Sequence, residues 1–255
     1  KEIQEQPQTI LNALNRGARL KNNSEVKLGG LDQYAGDLLN VQHIILLGCG
    51  TSYHAAQIGV YFLKRLCEFI SIQSYDGADF TEYDVPKRGN SLMVFISQSG
   101  ETKDLHRCIQ IGKKNNLYLI GIVNVVDSMI SREVNCGCYL NAGREVSVAS
   151  TKSFTSSLTV LKLFSIWLYQ NKQSNNLLPT IKYNCVSIHN LIRQVKDINN
   201  LQSKQFIVGL LDPFNKELKT SILAKKISAF ALELLPRNSR AQSMDVLSSQ
   251  ANIAG

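Results

Sequence analysis

The sequence is poor in the residues that build metal centres and disulfide frameworks. Its 255 residues hold four dispersed histidines and six cysteines, Cys49, Cys67, Cys108, Cys136, Cys138 and Cys185, with no C-x-x-C pair. Most of these cysteines lie in apolar stretches, where a free thiol behaves as a small hydrophobe. Cys136 and Cys138 stand too close in an extended segment for a comfortable disulfide. This usage excludes a disulfide scaffold, gives no metal or cofactor site, and implies a reducing, cytoplasmic setting. Long apolar runs are missing as well. The most apolar stretch, Phe154–Tyr169, carries Lys162 and several hydroxyls and is shorter than a membrane span needs. The opening Lys1-Glu-Ile-Gln-Glu-Gln-Pro7 is too polar for a secretory leader, so no membrane partner is expected.

Blocks of like charge are also absent. A net charge of +8 invites thoughts of nucleic acid, but the 28 Lys and Arg residues are scattered and no basic stretch is interleaved with aromatics. A nucleic-acid partner is therefore not expected. A basic excess suits a small anionic ligand equally well, and much of it is solvated surface.

What is present is a globular composition, 44% hydrophobic and 19% charged, arranged as short apolar runs alternating with longer amphipathic ones. That alternation predicts βα units on a parallel sheet. Strands are expected at His43–Leu47, Phe69–Ser74, Leu92–Ile96, Tyr118–Val123 and Cys138–Leu140. Helices are expected at Ser52–Cys67, Thr102–Lys114 and Lys152–Tyr169, the last strongly amphipathic, and from Lys1 to about Leu20. Around residues 171–180 polar residues interrupt the apolar pattern. Beyond them Thr180–Asn199 reads as helix, Gln205–Leu211 as strand and Asn215–Leu235 as helix. The expected organisation is a three-layer α/β domain with a five-stranded parallel sheet over residues 1–174, and an incomplete second α/β domain over 175–255.

Three segments share one physical design: a strand ends, then glycine and hydroxyl residues lead into a helix. They are Leu47-Gly-Cys-Gly-Thr-Ser-Tyr53, Ile96-Ser-Gln-Ser-Gly-Glu-Thr102 and Val148-Ala-Ser-Thr-Lys152. Helix N-termini present unpaired N–H groups and partial positive charge, glycine admits close backbone approach, and Ser or Thr hydroxyls add donors. In an open parallel sheet such loops gather at the carboxyl ends of the strands. One loop alone is equally a capped helix; three together point to a shared anion site. A dinucleotide fold competes, since Gly48-Cys-Gly50 opens like G-x-G-x-x-G and Asp76 has acceptable spacing for a ribose acid. Tyr53 stands at the third glycine position, however, and the idea leaves the hydroxyls of Ser97, Ser99 and Thr102 unexplained. Glu101 reads as a dipole complement before it reads as a base. Lys152 opposes its helix dipole and is a candidate to neutralise ligand charge. His54 reads as a packing or capping residue. Leu161, Phe164 and Trp167 form one apolar face, suited to core or an interdomain contact.

The segments CGTSYH, SQSGET and VASTK, in this order, resemble the first sugar isomerase (SIS) domain of the glutamine–fructose-6-phosphate aminotransferase family, the glucosamine-6-phosphate synthases. The likeness extends through EIQEQP, VKLGGL, Ile130-Ser-Arg-Glu133 and Asn141-Ala-Gly143, over roughly residues 1–170. Members of that family join a glutaminase domain to two isomerase domains and make glucosamine 6-phosphate from fructose 6-phosphate. The resemblance implies that Ser97, Gln98, Ser99 and Thr102 hold the sugar phosphate, and that Thr51, Ser52, Val148 and Ser150 contact the sugar. It implies fructose 6-phosphate or glucosamine 6-phosphate as ligand, and no cofactor or metal. It also implies self-association, or pairing with a related enzyme subunit.

The resemblance departs at the catalytic positions. The glutaminase domain and most of the second isomerase domain have no counterpart here. The alignment sets Lys226 where the family's proton-transferring Glu would stand, and Gln242 at the position of its ring-opening His. Neither can move a proton as those groups do, so no catalytic residue is assigned. The expectation is a phosphosugar-binding relative that lacks full activity alone. The alternatives are a competent isomerase/aminotransferase half of a longer or multi-chain enzyme and, at a distance, a dinucleotide-binding domain.

Overall fold

Apolar runs such as His-Ile-Ile-Leu-Leu-Gly and Ser-Leu-Met-Val-Phe-Ile-Ser suit strands covered on both faces, because a strand with one exposed face would alternate with polar residues. In the computed structural model every residue of both runs is buried. The structure describes residues 2–21, 25–147 and 150–172, with 206–209, 220, 223–224 and 228–231. The chain divides into two compact units, Lys1–Ile188 and His189–Gly255, each described by itself. The expected boundary at 174/175 lies outside the described residues.

The first unit begins with α1 (Glu2–Ala13), a 3₁₀ turn (Asn15–Gly17) and the two-residue strands β1 (Leu20–Lys21) and β2 (Glu25–Val26). Short helices α2 (Gly29–Asp32) and α3 (Ala35–Leu39) follow. Then come β3 (His43–Gly48), α4 (Thr51–Leu66), β4 (Ser71–Asp76), β5 (Ser91–Ser97) and α5 (Lys103–Lys114). The unit continues with β6 (Tyr118–Val123), α6 (Met129–Glu133), β7 (Cys136–Tyr139) and α7 (Lys152–Lys172). Strands β3 to β7 form one parallel sheet in the order β4-β3-β5-β6-β7. Both the sheet and its five strands are as expected, with no strand end shifted by more than two residues. The helix expected from Lys1 to about Leu20 is shorter: it stops at Ala13, and Asn15 and Arg16 turn left-handed at φ 50° and 51°.

One face of the sheet carries Ile45, Leu47, Met93, Phe95, Leu119 and Val123 in a single core with Leu105, Cys108 and Ile109 of α5 and Ile130 of α6. On the other face α4 lies so close that a Cβ at Gly59 would stand 2.8 Å from Leu46 and 3.2 Å from Leu161 of α7. Three layers result. Helix α7 departs from its expected amphipathic character: Val160, Leu161 and every residue from Leu163 to Tyr169 are buried. A helix apolar all round belongs inside, and α7 is covered by α1 and α4. Trp167 sits there with its indole N–H donated to Asp32 over 3.0 Å, so it is core.

Helix α1 is attached to α7 by polar contacts as well. The buried Lys152 ammonium donates to Glu5 over 2.7 Å, and Thr155 donates to the Gln6 side chain. Lys152, a candidate for ligand charge in the sequence, is thus spent on the fold. In the second unit β8 (Phe206–Gly209) pairs in parallel with β9 (Ser228–Ala231). The strand expected near Gln205–Leu211 is present. The helix expected over Asn215–Leu235 is not continuous, because Ser228-Ala-Phe-Ala231 runs as strand. The helix expected at Thr180–Asn199 falls outside the described residues.

The β7 edge is packed backbone to backbone. A Cβ at Gly137 would fall 2.2 Å from the Gly121 carbonyl oxygen, and one at Gly30 would fall 2.2 Å from the Gly137 carbonyl. Backbone cannot swing aside as a side chain can. Gly137→Ala is therefore expected to cost about 3 kcal/mol, the upper part of the usual overpacking range, read as a lower urea midpoint at unchanged m-value. A shift below about 0.5 kcal/mol would show that the edge strand moves freely.

Candidate functional site

From β3 the chain first builds outward to β4, then returns to place β5 on the other side of β3. Such a reversal opens a crevice between the carboxyl ends of the two strands, where open α/β sheets bind ligands. The two best-formed glycine–hydroxyl loops flank that crevice. After β3, Gly48 is required because a Cβ there would lie 2.5–2.7 Å from the Ser52 and Tyr53 backbone, and Gly50 holds φ 57°, ψ −127°. This tight turn starts α4 at Thr51 and sets Thr51 and Ser52, both half-buried, beside the strand end. His54 is exposed and meets Gln57.

After β5 the chain folds over its own side chains. Ser97 is buried and its Oγ accepts the Gly100 N–H over 3.0 Å, while Ser99 Oγ accepts the Glu101 N–H over 3.1 Å. Thr102 stands at the N-cap of α5, yet its hydroxyl makes no capping bond and lies 3.3 Å from Ser97 Oγ. A hydroxyl that accepts a backbone N–H keeps its own proton to donate, so the loop presents neutral donors. Gly100 allows the close packing, at φ 69° and with a Cβ position only 2.1 Å from Ser128 Oγ. Glu101, read as a dipole complement, instead accepts the Met129 N–H over 2.9 Å and joins this loop to α6.

The third loop has a different device. The Glu145 carboxylate accepts the N–H groups of Thr151, Lys152 and Ser153 at 2.8, 3.0 and 3.4 Å, and the Ser150 hydroxyl at 2.9 Å. The first turn of α7 is thereby capped by an acid from its own loop. Glu2 holds the preceding stretch by accepting from Val146 and Ser147 backbone N–H groups. Those bonds, the Val146 one first, hold its carboxyl below the usual range. Val148 lies outside the described residues, as do Lys226 and Gln242.

A cavity of about 790 Å³ opens beside the second loop and is lined by Gln98 and Ser99. Its other walls come from Asn12, Asn15 and Arg16 at the end of α1, from Asn124 and Val125 after β6, and from the segment 141–145. Asn124 braces these walls: its amide donates to the Gly143 carbonyl over 2.7 Å and accepts the Ala142 N–H over 2.8 Å. The structure thus brings Ser97, Gln98, Ser99 and Thr102 together and sets Thr51 and Ser52 across the crevice. Thr51, Ser52, Ser97 and Thr102 do not line the cavity itself. Ser150 is engaged with Glu145. Arg16, Asn124 and Arg144 carried no role in the sequence reading. Their one signal was position: Arg16 in an Asn-Arg-Gly turn, and Arg144 directly after Asn141-Ala-Gly143.

Among the described residues no cluster of His, Cys, Asp or Glu is placed to hold a metal ion, and no helix is long and apolar enough to cross a membrane.

A family model described as "SIS domain" matches residues 37–166, which takes in β3 to β7 and most of α7. The chain belongs to the SIS domain family. A second model, "Alanine dehydrogenase/PNT, N-terminal domain", matches residues 180–254. The chain is 46% identical over 197 residues to the Acanthamoeba polyphaga mimivirus protein named "Probable glutamine--fructose-6-phosphate aminotransferase [isomerizing]", covering 77% of this chain and 31% of that protein. The human glutamine–fructose-6-phosphate aminotransferase [isomerizing] 2 is 35% identical over 196 residues, or 76% of this chain and 28% of its own length. The chain thus spans about a third or less of the curated relatives it matches. In fold it is similar to the C-terminal domain of glucosamine-fructose-6-phosphate aminotransferase from Francisella tularensis, with a TM-score of 0.68 and 24% identity over all of this chain and 81% of that one. The Vibrio vulnificus NanR protein complexed with ManNAc-6P has a TM-score of 0.51 at 17% identity, covering 76% of this chain and 70% of that chain. The SIS relationship read from the three loops is confirmed by these matches.

The SIS domain's cysteines follow their burial. Desolvation pushes the thiols of Cys49 and Cys138 up to about 11, and those of Cys67, Cys108 and Cys136 up to about 12. A raised thiol pKa means a vanishing thiolate fraction at neutral pH. At pH 8 all five are expected to alkylate with iodoacetamide at least about tenfold more slowly in the native protein than in urea, as read by mass spectrometry of each site. Rapid native labelling of Cys49 would show that the β3 loop opens in solution.

Proposed function

We propose that this SIS domain binds a sugar phosphate, fructose 6-phosphate or glucosamine 6-phosphate, across the crevice between β3 and β5. Ser97, Gln98, Ser99 and Thr102 hold the phosphate, and Thr51, Ser52, Val148 and Ser150 meet the sugar. The observation that carries this reading is the β5 loop: hydroxyls at a strand–helix junction, already satisfied as acceptors, with the Thr102 N-cap hydroxyl unused by its helix. Such a loop suits a phosphate without any cation. The likeness to proteins named for fructose-6-phosphate chemistry, and in fold to one complexed with an amino-sugar phosphate, supports the same ligand class.

The reading assigns binding, without full activity for the chain alone. Glu101 and Glu145, the carboxylates that belong to the second and third loops, both spend oxygens on backbone N–H groups. A competent half of a longer or multi-chain enzyme is the alternative, and formation of glucosamine 6-phosphate from fructose 6-phosphate and ammonia by the isolated chain would establish it.

Calorimetric titration with glucosamine 6-phosphate, with glucosamine as control, tests the site. Saturable binding that requires the phosphate is expected. Ser99→Ala with Thr102→Ala removes two bonds to a charged group, each worth about 1.5–3 kcal/mol, so affinity should fall at least about a hundredfold. Undiminished affinity in the folded double variant would overturn the assignment. Self-association, or pairing with a related enzyme subunit, is part of the proposal through the family resemblance. Sedimentation equilibrium at micromolar concentration is expected to show a dimer or larger species, and a clean monomer would count against self-association.

A further inference from the structure

The phosphate loop and the cavity beside it differ in charge. The loop offers neutral hydroxyl and amide donors. The cavity is lined by two guanidinium groups, Arg16 from the turn after α1 and Arg144 from the loop after β7. Neither makes a hydrogen bond or ion pair among the described residues, although arginines elsewhere in the unit, Arg19 and Arg107, are tied to backbone carbonyls. The acid that shares the lining, Glu145, is committed to the first turn of α7. Arg16 is also held at φ 51°, ψ 33°, next to Asn15 at φ 50°. Successive non-glycine residues in that region cost backbone energy, which persists where surrounding structure enforces it and clusters at functional sites. With Glu145 the lining keeps a net positive charge, two guanidinium groups against one carboxylate, and neither guanidinium is in an ion pair with it, which raises the local concentration of anions.

We propose that Arg16 and Arg144 recognise a second anionic group, so that the site takes a sugar bearing two such groups, the sugar bisphosphate class. This rests on the phosphate-binding reading above: one phosphate sits on the Ser97–Thr102 loop and the other faces the arginines. The chemistry favours Arg here, since its planar fork matches phosphate oxygens in pairs.

The test is calorimetry on the whole chain with fructose 6-phosphate and fructose 1,6-bisphosphate at fixed ionic strength. The bisphosphate is expected to bind at least about tenfold tighter, with the steeper salt dependence. In the Arg16→Gln/Arg144→Gln double variant that difference should vanish, and in Arg144→Gln alone it should shrink. Circular dichroism confirms folding, which substitution at two exposed positions is not expected to disturb. Equal affinities in the unsubstituted chain would overturn the inference and leave the phosphate-binding reading standing. So would a difference that survives in the double variant, since the arginines would then serve the first phosphate or none. If the unsubstituted chain binds neither sugar, both readings fall together.

Discussion

The ligand side of this SIS domain depends on one carboxylate. Glu145 accepts three successive backbone N–H groups at the start of α7 and the hydroxyl of Ser150. Those amides are the orphan donors that every helix leaves at its beginning, and α7 is too deeply buried along its length for water to serve them all. A carboxylate there is favourable for two reasons at once, hydrogen bonding and the helix dipole, with the latter worth up to about 2 kcal/mol in partly buried geometry. It also determines what the third loop can offer. An anion already sits on this helix, so these α7 amides are taken, which is why the proposed phosphate site draws its donors from the β5 loop.

Helix α1 extends the same logic. Glu2 accepts from the amides of Val146 and Ser147, Glu5 receives the Lys152 ammonium, and Asn12 offers its carbonyl to Asn141. A buried lysine left without a partner would be strongly destabilising, whereas the pair in place is close to neutral compared with apolar packing. Its use is therefore positional. Lys152 fixes the register of α1 against α7, and α1 in turn delivers Asn15 and Arg16 to the cavity wall.

Much of this was legible in the sequence because it is carried by local, periodic signals. Fully buried strands such as His43–Gly48 and Ser91–Ser97 read as uninterrupted apolar runs, and their glycine–hydroxyl exits read as strand–helix junctions. The hydroxyls of Ser97, Ser99 and Thr102 were recognisable for the same reason. What escaped were relations between distant segments. Nothing near Lys152 announces Glu5, 147 residues away, and nothing near Asn124 announces its grip on Ala142 and Gly143. The amphipathic reading of α7 failed because apolar periodicity reports one covered face. It does not report a second helix, α1, closing the other. The helix expected over Asn215–Leu235 failed at Ser228–Ala231, where a short apolar run fits helix and strand equally well until a partner, Phe206–Gly209, claims it.

The division of labour between hydroxyls and arginines follows from desolvation. Ser97 is only 3% exposed, at the end of a strand whose every residue is buried. A guanidinium brought to that depth would lose several kcal/mol of hydration before it met a ligand, and would stand unpaired whenever the ligand left. Hydroxyl and backbone donors avoid this, because they can hydrogen-bond one another, as Ser97 does with Gly100 and Thr102. Unpaired permanent charge is tolerable only where water still reaches it, and Arg16 and Arg144 are both exposed. The proposed deep phosphate site of neutral groups and the proposed reading of charge at the rim are thus two consequences of one constraint. A sheet buried on both faces can present its strand ends to a ligand, but it cannot keep ions there.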